Sequence, residues 1–220
     1  MVNFFFLLNI LKLDNLDKYL KNDFSLRLLV FSNILLIVFA IIGNWTIAPV
    51  LFVYWFQSVV IGVFIFLRLL TTDFGANIKF VSKYGAKNLQ IVLAFFFMIH
   101  YGLFHLGYLV FILIFAFIFQ PGYTGEIFFL LDPLFLISLI VIFINHAFSE
   151  KYNSGDYLGK SAPEIMFSPY GRIIPMHLTL IFGTFLMFLF QNQIIMLVLF
   201  LILKTIFDIK GHIAKHKNKF

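Results

Sequence analysis

The feature that most constrains this chain is a succession of apolar runs, each long enough to cross a lipid bilayer. A membrane helix needs roughly 17 to 25 mostly apolar residues, rising about 1.5 Å each, to traverse about 30 Å of hydrocarbon. Six stretches qualify, approximately Leu26–Gly43, Pro49–Leu70, Leu89–Phe119, Ile127–Phe148, Ile173–Phe190 and Gln193–Phe207. The third is long enough to tilt or to continue into water, and the last is short. Composition agrees, with 62% hydrophobic and 12% charged residues, far from the mix of a soluble domain. A water-soluble fold could not hide 33 phenylalanines without large apolar patches, so the excess reads as lipid-facing filler.

Charge sets the direction of the spans, because Lys and Arg of short loops stay on the cytoplasmic side. Lys12, Lys18, Lys21 and Arg27 precede span one, and Arg68, Lys79, Lys83 and Lys87 lie between spans two and three. Lys151, Lys160 and Arg172 separate spans four and five, and Lys204, Lys210, Lys215, Lys217 and Lys219 close the chain. All 16 basic residues therefore fall on one side, and the opposite connections at 44–48, 120–126 and 191–192 carry none. The net charge of +6 sits where topology needs it, which argues against a nucleic-acid partner. Met1–Leu11 lacks a basic leader and a small-residue cleavage site, so no signal peptide is expected there. The absence of cysteine excludes disulfides, iron–sulfur clusters, thiolate zinc sites and a cysteine nucleophile.

The expected fold is an all-α integral membrane bundle of six transmembrane helices in the cell membrane, with both termini cytoplasmic. Phe6, Ile10, Leu13, Leu16 and Leu20 recur at helical spacing among charges, predicting an interfacial amphipathic helix over residues 1–24. The transmembrane domain then covers 25–210 and a basic tail 211–220. The lipid bilayer is the expected partner, with a homo-oligomer as a further expectation.

Ionisable groups at membrane depth cost several kcal/mol, so each is a functional candidate unless it only ties helices together. By helical rise, His146, His177 and Lys204 lie roughly 8 to 9 Å from the inner charges and share a layer. His100, on the long third span, can join them if that helix begins outside the membrane. Imidazole ligates zinc, copper, iron and haem and relays protons, so His100, His146 and His177 form a candidate metal or haem site. The competing reading is that each bonds a backbone carbonyl or an Asn. Lys204 and Asp208 share a helix face and can pair. Gln57, Tyr101, Asn145, Tyr170 and Arg172 complete the candidate substrate-binding set, Arg172 for an anionic group. Tyr101, His105 and Tyr108 fall on one face as a hydrogen-bonded ladder, and Asp132 before Pro133 predicts a helix cap. Intramembrane proteolysis is not expected, since no serine lies mid-span opposite a histidine, Ser138 has no evident activating neighbour and no paired aspartates occur at depth.

The segments "YWFQSVVIG", "FFFMIHYGLFHLGY", "NHAFSEKYN", "PYGRIIPMHLTLIFG" and "LKTIFDIKGH" together resemble an uncharacterised prokaryotic family of multi-pass membrane proteins, a domain of unknown function. The resemblance runs from about Gly43 onward and implies the six-span architecture without an activity. Three functions follow as expectations: a metal or haem protein acting in redox or metal handling, a small-solute or proton transporter, and a structural or accessory membrane protein. The residues leave open whether the chain is an enzyme.

Overall fold

The structure is a computed structural model that describes residues 16–71, 85–118, 127–157, 160–170 and 193–215. Among the described residues the chain is all-α, with seven helices and two short 3-10 turns. The helices are α1 (Leu16–Asn22), α2 (Phe24–Ile42), α3 (Ile47–Thr71), α4 (Ala86–Ile118), α5 (Pro133–Tyr152), α6 (Ala162–Phe167) and α7 (Gln193–Lys215). Four stretches are long and apolar enough to cross a membrane: Phe24–Ile42, Ile47–Thr71, Lys87–Ile114 and Pro133–Tyr152. They correspond to the first four spans expected from the sequence. The fifth, Ile173–Phe190, lies outside the described residues. The sixth falls within α7, which continues to Lys215 and is not among the four.

The chain stops and starts helices with few residues. Asp23 caps α2, its Oδ1 accepting from the backbone N–H groups of Ser25 and Leu26 at 2.9 and 3.2 Å. Between α2 and α3 the chain turns in four residues. The N–H of Gly43 returns to the Phe39 carbonyl and that of Trp45 to the Ala40 carbonyl, while Asn44 takes a φ of 47°, which its short polar side chain tolerates. Asp132 caps α5 as expected, accepting from Leu134 N–H, with Pro133 in the first turn. Its second oxygen also accepts from the Trp45 indole at 2.7 Å, so one carboxylate ties the start of α5 to the α2–α3 turn.

These contacts define two ends of the bundle. Trp45 and Asp132 mark one. At the other, Arg68 near the end of α3 donates to Glu150 near the end of α5, Ser25 at the start of α2 donates to Ser149, and His212 late in α7 meets Asp23. α4 begins at that same end, where the Gln90 amide donates to the Leu69 carbonyl. There α1 packs Leu16, Tyr19 and Leu20 on Leu26, Leu29 and Ile209, so its apolar side is covered by α2 and α7. Residues 1–15, the rest of the expected amphipathic helix, lie outside the described residues.

Interior packing is aromatic and aliphatic. Trp45, Tyr54, Phe135 and Phe200 close the core toward the Trp45 end, and Phe97, Tyr101, Tyr157 and Ile165 build a second cluster toward the Arg68 end. Outside, Val92, Phe96, Ile99, Leu103 and Leu106 of α4 and Ile140 and Ile144 of α5 stand exposed. Apolar surface this continuous suits hydrocarbon and not water.

Candidate functional site

Gln57 lies ten residues into α3 and fourteen from its end, near the middle of the helix. Around it a chain of polar side chains runs through the bundle. Lys204 of α7 donates to Gln57 Oε1 and to Asp208 Oδ2, each at 2.5 Å, and its Nζ sits 3.9 Å from the centre of the Tyr54 ring. Asn33 of α2 donates its amide N–H to the same Asp208 oxygen at 3.1 Å. On the far side of Gln57, Nε2 lies 2.9 Å from His146 Nε2 on α5. Asn33, Tyr54, Gln57, His146 and Lys204 are all buried, and the Asp208 side chain is nearly so. Four helices thus meet on one ion pair, α2, α3, α5 and α7.

The protons in this chain follow from donor and acceptor arithmetic. An ammonium has only donors, so Lys204 must face the oxygen of the Gln57 amide, leaving its NH2 toward His146. His146 Nε2 then accepts, and the imidazole is neutral with its proton on Nδ1. Were His146 protonated as well, two donors would confront each other across 2.9 Å. Gln57 would have to turn over and withdraw its oxygen from Lys204. The amide therefore links the two basic groups: a proton on His146 turns Gln57 over and takes one oxygen partner from Lys204.

The neighbouring residue serves a second network. Ser58 points to α4, where His105 Nε2 lies 2.7 Å from its Oγ and Tyr101 donates to the Ser58 carbonyl at 2.9 Å. His105 Nδ1 faces the Tyr101 carbonyl at 2.8 Å, an acceptor only, so Nδ1 carries the proton and Nε2 accepts from Ser58. The Tyr101 ring stacks on the His105 ring with centroids 4.1 Å apart. Gly62 permits the approach: a Cβ there would come within 2.4 Å of Tyr101. The statement that no serine faces a histidine within the spans is corrected by this pair. Ser138, mid-helix on α5, donates its hydroxyl to the Leu134 carbonyl of its own helix. Ser58–His105 has the spacing of a nucleophile and its base, yet every polar group of the pair is absorbed by the α3–α4 interface.

Of the residues singled out from sequence, Gln57, His146, Lys204 and Asp208 come together. Tyr101 belongs to the second network. His100 is exposed on α4, its Nδ1 2.7 Å from the Tyr170 hydroxyl and its ring stacked on Phe96. Asn145 is buried next to His146. His177 and Arg172 lie outside the described residues. The shared histidine layer is therefore not what the described part shows: His100 and His146 have different partners on different elements, and no group of three or more His, Cys, Asp or Glu among the described residues could hold a metal. Nothing in this geometry supports a haem or transition-metal centre.

Sequence reasoning also missed partners. Tyr54 carries no signal of its own, although it is one turn before Gln57, whereas Asn33 stands out as an amide at membrane depth without its partner Asp208 being legible. His212 did leave a trace, since Lys204, Asp208 and His212 repeat every four residues on one face of α7. Its Nε2 lies 2.8 Å from Asp23 Oδ2, with both side chains fully enclosed.

The fold and site together define a helical protein with several helices apolar enough to span a membrane and a buried ion pair at the junction of four of its helices. The chain belongs to a family of unknown function, DUF6498, whose model matches residues 16–219. No curated protein and no solved structure matches it.

Proposed function

We propose that this protein is a six-span integral membrane protein, both ends cytoplasmic, that works as a proton-linked carrier of a small solute through the Asp208–Lys204–Gln57–His146 chain. The observation that carries this reading is the Lys204 ammonium enclosed between Asp208, Gln57 and the Tyr54 ring. Charges at membrane depth are expensive, and in proteins that move ions or protons they line the route. An amide that bridges two basic groups supplies a coupling element, because a proton on His146 turns Gln57 away from Lys204. Support for six spans comes from the ends: α5 and α7 both finish at the Arg68–Asp23 end, so α7 begins at the opposite end of the bundle from the close of α5. Every basic residue falls on the side that the positive-inside rule calls cytoplasmic.

Vesicles containing the purified protein and an internal pH dye, challenged in turn with amino acids, organic acids, amines and alkali cations, test the reading. At least one class is expected to change the internal pH, and Lys204→Met and Asp208→Asn are expected to abolish the change. A silent panel, or a response that survives both substitutions, overturns it.

A further inference from the structure

We propose that the seat of the Lys204 ammonium is a binding site for a small monovalent ammonium-type cation, and that Lys204 is a tethered occupant displaced from it on losing a proton. This rests on the carrier reading and names its substrate class. The donor set is general: a carboxylate oxygen of Asp208, an amide oxygen of Gln57 and the face of Tyr54. Nothing in it is particular to a lysine side chain. Oxygens alone would suit Na⁺ or a divalent ion, but an aromatic face as the third wall favours a weakly hydrated organic ammonium.

A second observation points the same way. Tyr54, whose ring is the third wall of the seat, is 2% exposed, yet its hydroxyl has no hydrogen-bond partner among the described residues. Buried polar atoms are rarely left so, and each such case asks for a missing partner. A ligand that carries N–H groups and is not anchored to α7 supplies donors where the tethered ammonium cannot.

The charge balance dictates the exchange. From the elements packed around the seat, the groups that face it are Asn33 of α2, Tyr54 and Gln57 of α3, Asp208 of α7 and, through Gln57, neutral His146 of α5. Asp208 offers one negative charge, and two cations beside it in a low dielectric repel strongly. As the free cation enters, one Nζ–H bond of Lys204 breaks, the electron pair stays on nitrogen, and the proton leaves to water. The net charge of the site is unchanged, so the exchange is electroneutral, one cation for one proton.

Titrating methylammonium into the purified full chain, in weak buffer with a pH dye and against NaCl at equal ionic strength, tests this. Saturable binding is expected, with about one proton released per cation bound, so that apparent affinity rises about tenfold per pH unit. Lys204→Met is expected to keep binding and lose both the proton release and the pH dependence, and Asp208→Asn to lose binding. Wild-type protein that binds no methylammonium, or binds it without releasing a proton, overturns the proposal whatever the variants do. Binding with proton release but no flux in vesicles upholds the site and removes the carrier reading alone.

Discussion

Gln57 and Ser58 are consecutive residues on α3, and the helix turns them about 100° apart, toward different neighbours. Gln57 reaches α7 and α5 and ends on a charged pair; Ser58 reaches α4 and ends in a ring of neutral groups. The Ser58 network satisfies itself: Tyr101 donates to the Ser58 carbonyl, Ser58 to His105, and His105 to the Tyr101 carbonyl. The Gln57 network is built on the charge of Lys204 and Asp208. A neutral closed loop fixes two helices, whereas a charged open chain changes when one proton moves.

Removing charge separates the two most sharply. Lys204→Met takes from the Asp208 carboxylate its cation and is expected to destabilise by about 3–5 kcal/mol in detergent unfolding, the usual cost of breaking a buried pair. Lys204→Met combined with Asp208→Asn should recover much of that loss, and a double variant no more stable than Lys204→Met would show that the pair is not energetically coupled. On the neutral side, Gly62→Ala pushes a methyl group into the Tyr101 ring and should cost about 1–3 kcal/mol by overpacking. Ser58→Ala, which removes one hydroxyl, should cost only about 0.6 kcal/mol, typical of membrane hydrogen bonds. A loss as large as that of Lys204→Met would abolish the contrast.

Acidification should leave a small signature outside both networks. The backbone N–H of Ser161, with help from its hydroxyl, holds the exposed Glu164 carboxyl below its ordinary range. A depressed folded value means the cap contributes fully above the ordinary Glu range and is lost as pH falls through the folded value. Faster amide exchange at Ser161 below the ordinary Glu range is the expected readout, with no accompanying change at Ser58 or Tyr101.

The sequence was legible where chemistry and solvent disagree. Gln57, His146, Lys204 and Asp208 stand out because polar side chains are costly in hydrocarbon, and the four helices apolar enough to span stand out because they are not. Partnership was not legible. Depth along a helix can be counted from flanking charges, but rotation about the axis and the choice of neighbours cannot, so His100 was grouped with His146 although it turns to Tyr170. Tyr54 gives no signal because an aromatic ring is ordinary until a cation is seen beside it, and Asn33 is visible as a polar residue at depth but not as the partner of Asp208. Ser58 was missed for a similar reason, since one serine among apolar residues gives no hint of the histidine 47 residues away.

The contact between Asp23 and His212 joins residues 189 apart. Asp23 caps the first turn of α2, and its second oxygen is met by a residue near the close of α7. During synthesis α2 leaves the ribosome with that carboxylate facing no histidine, and it waits until α7 has been made and docked. Assembly of the bundle therefore carries its own completion signal. A chain stopped before His212, or bearing His212→Leu, should form its early helices and yet stay loose at the Arg68–Asp23 end, which faster amide exchange at Ser25 and Leu26 would report.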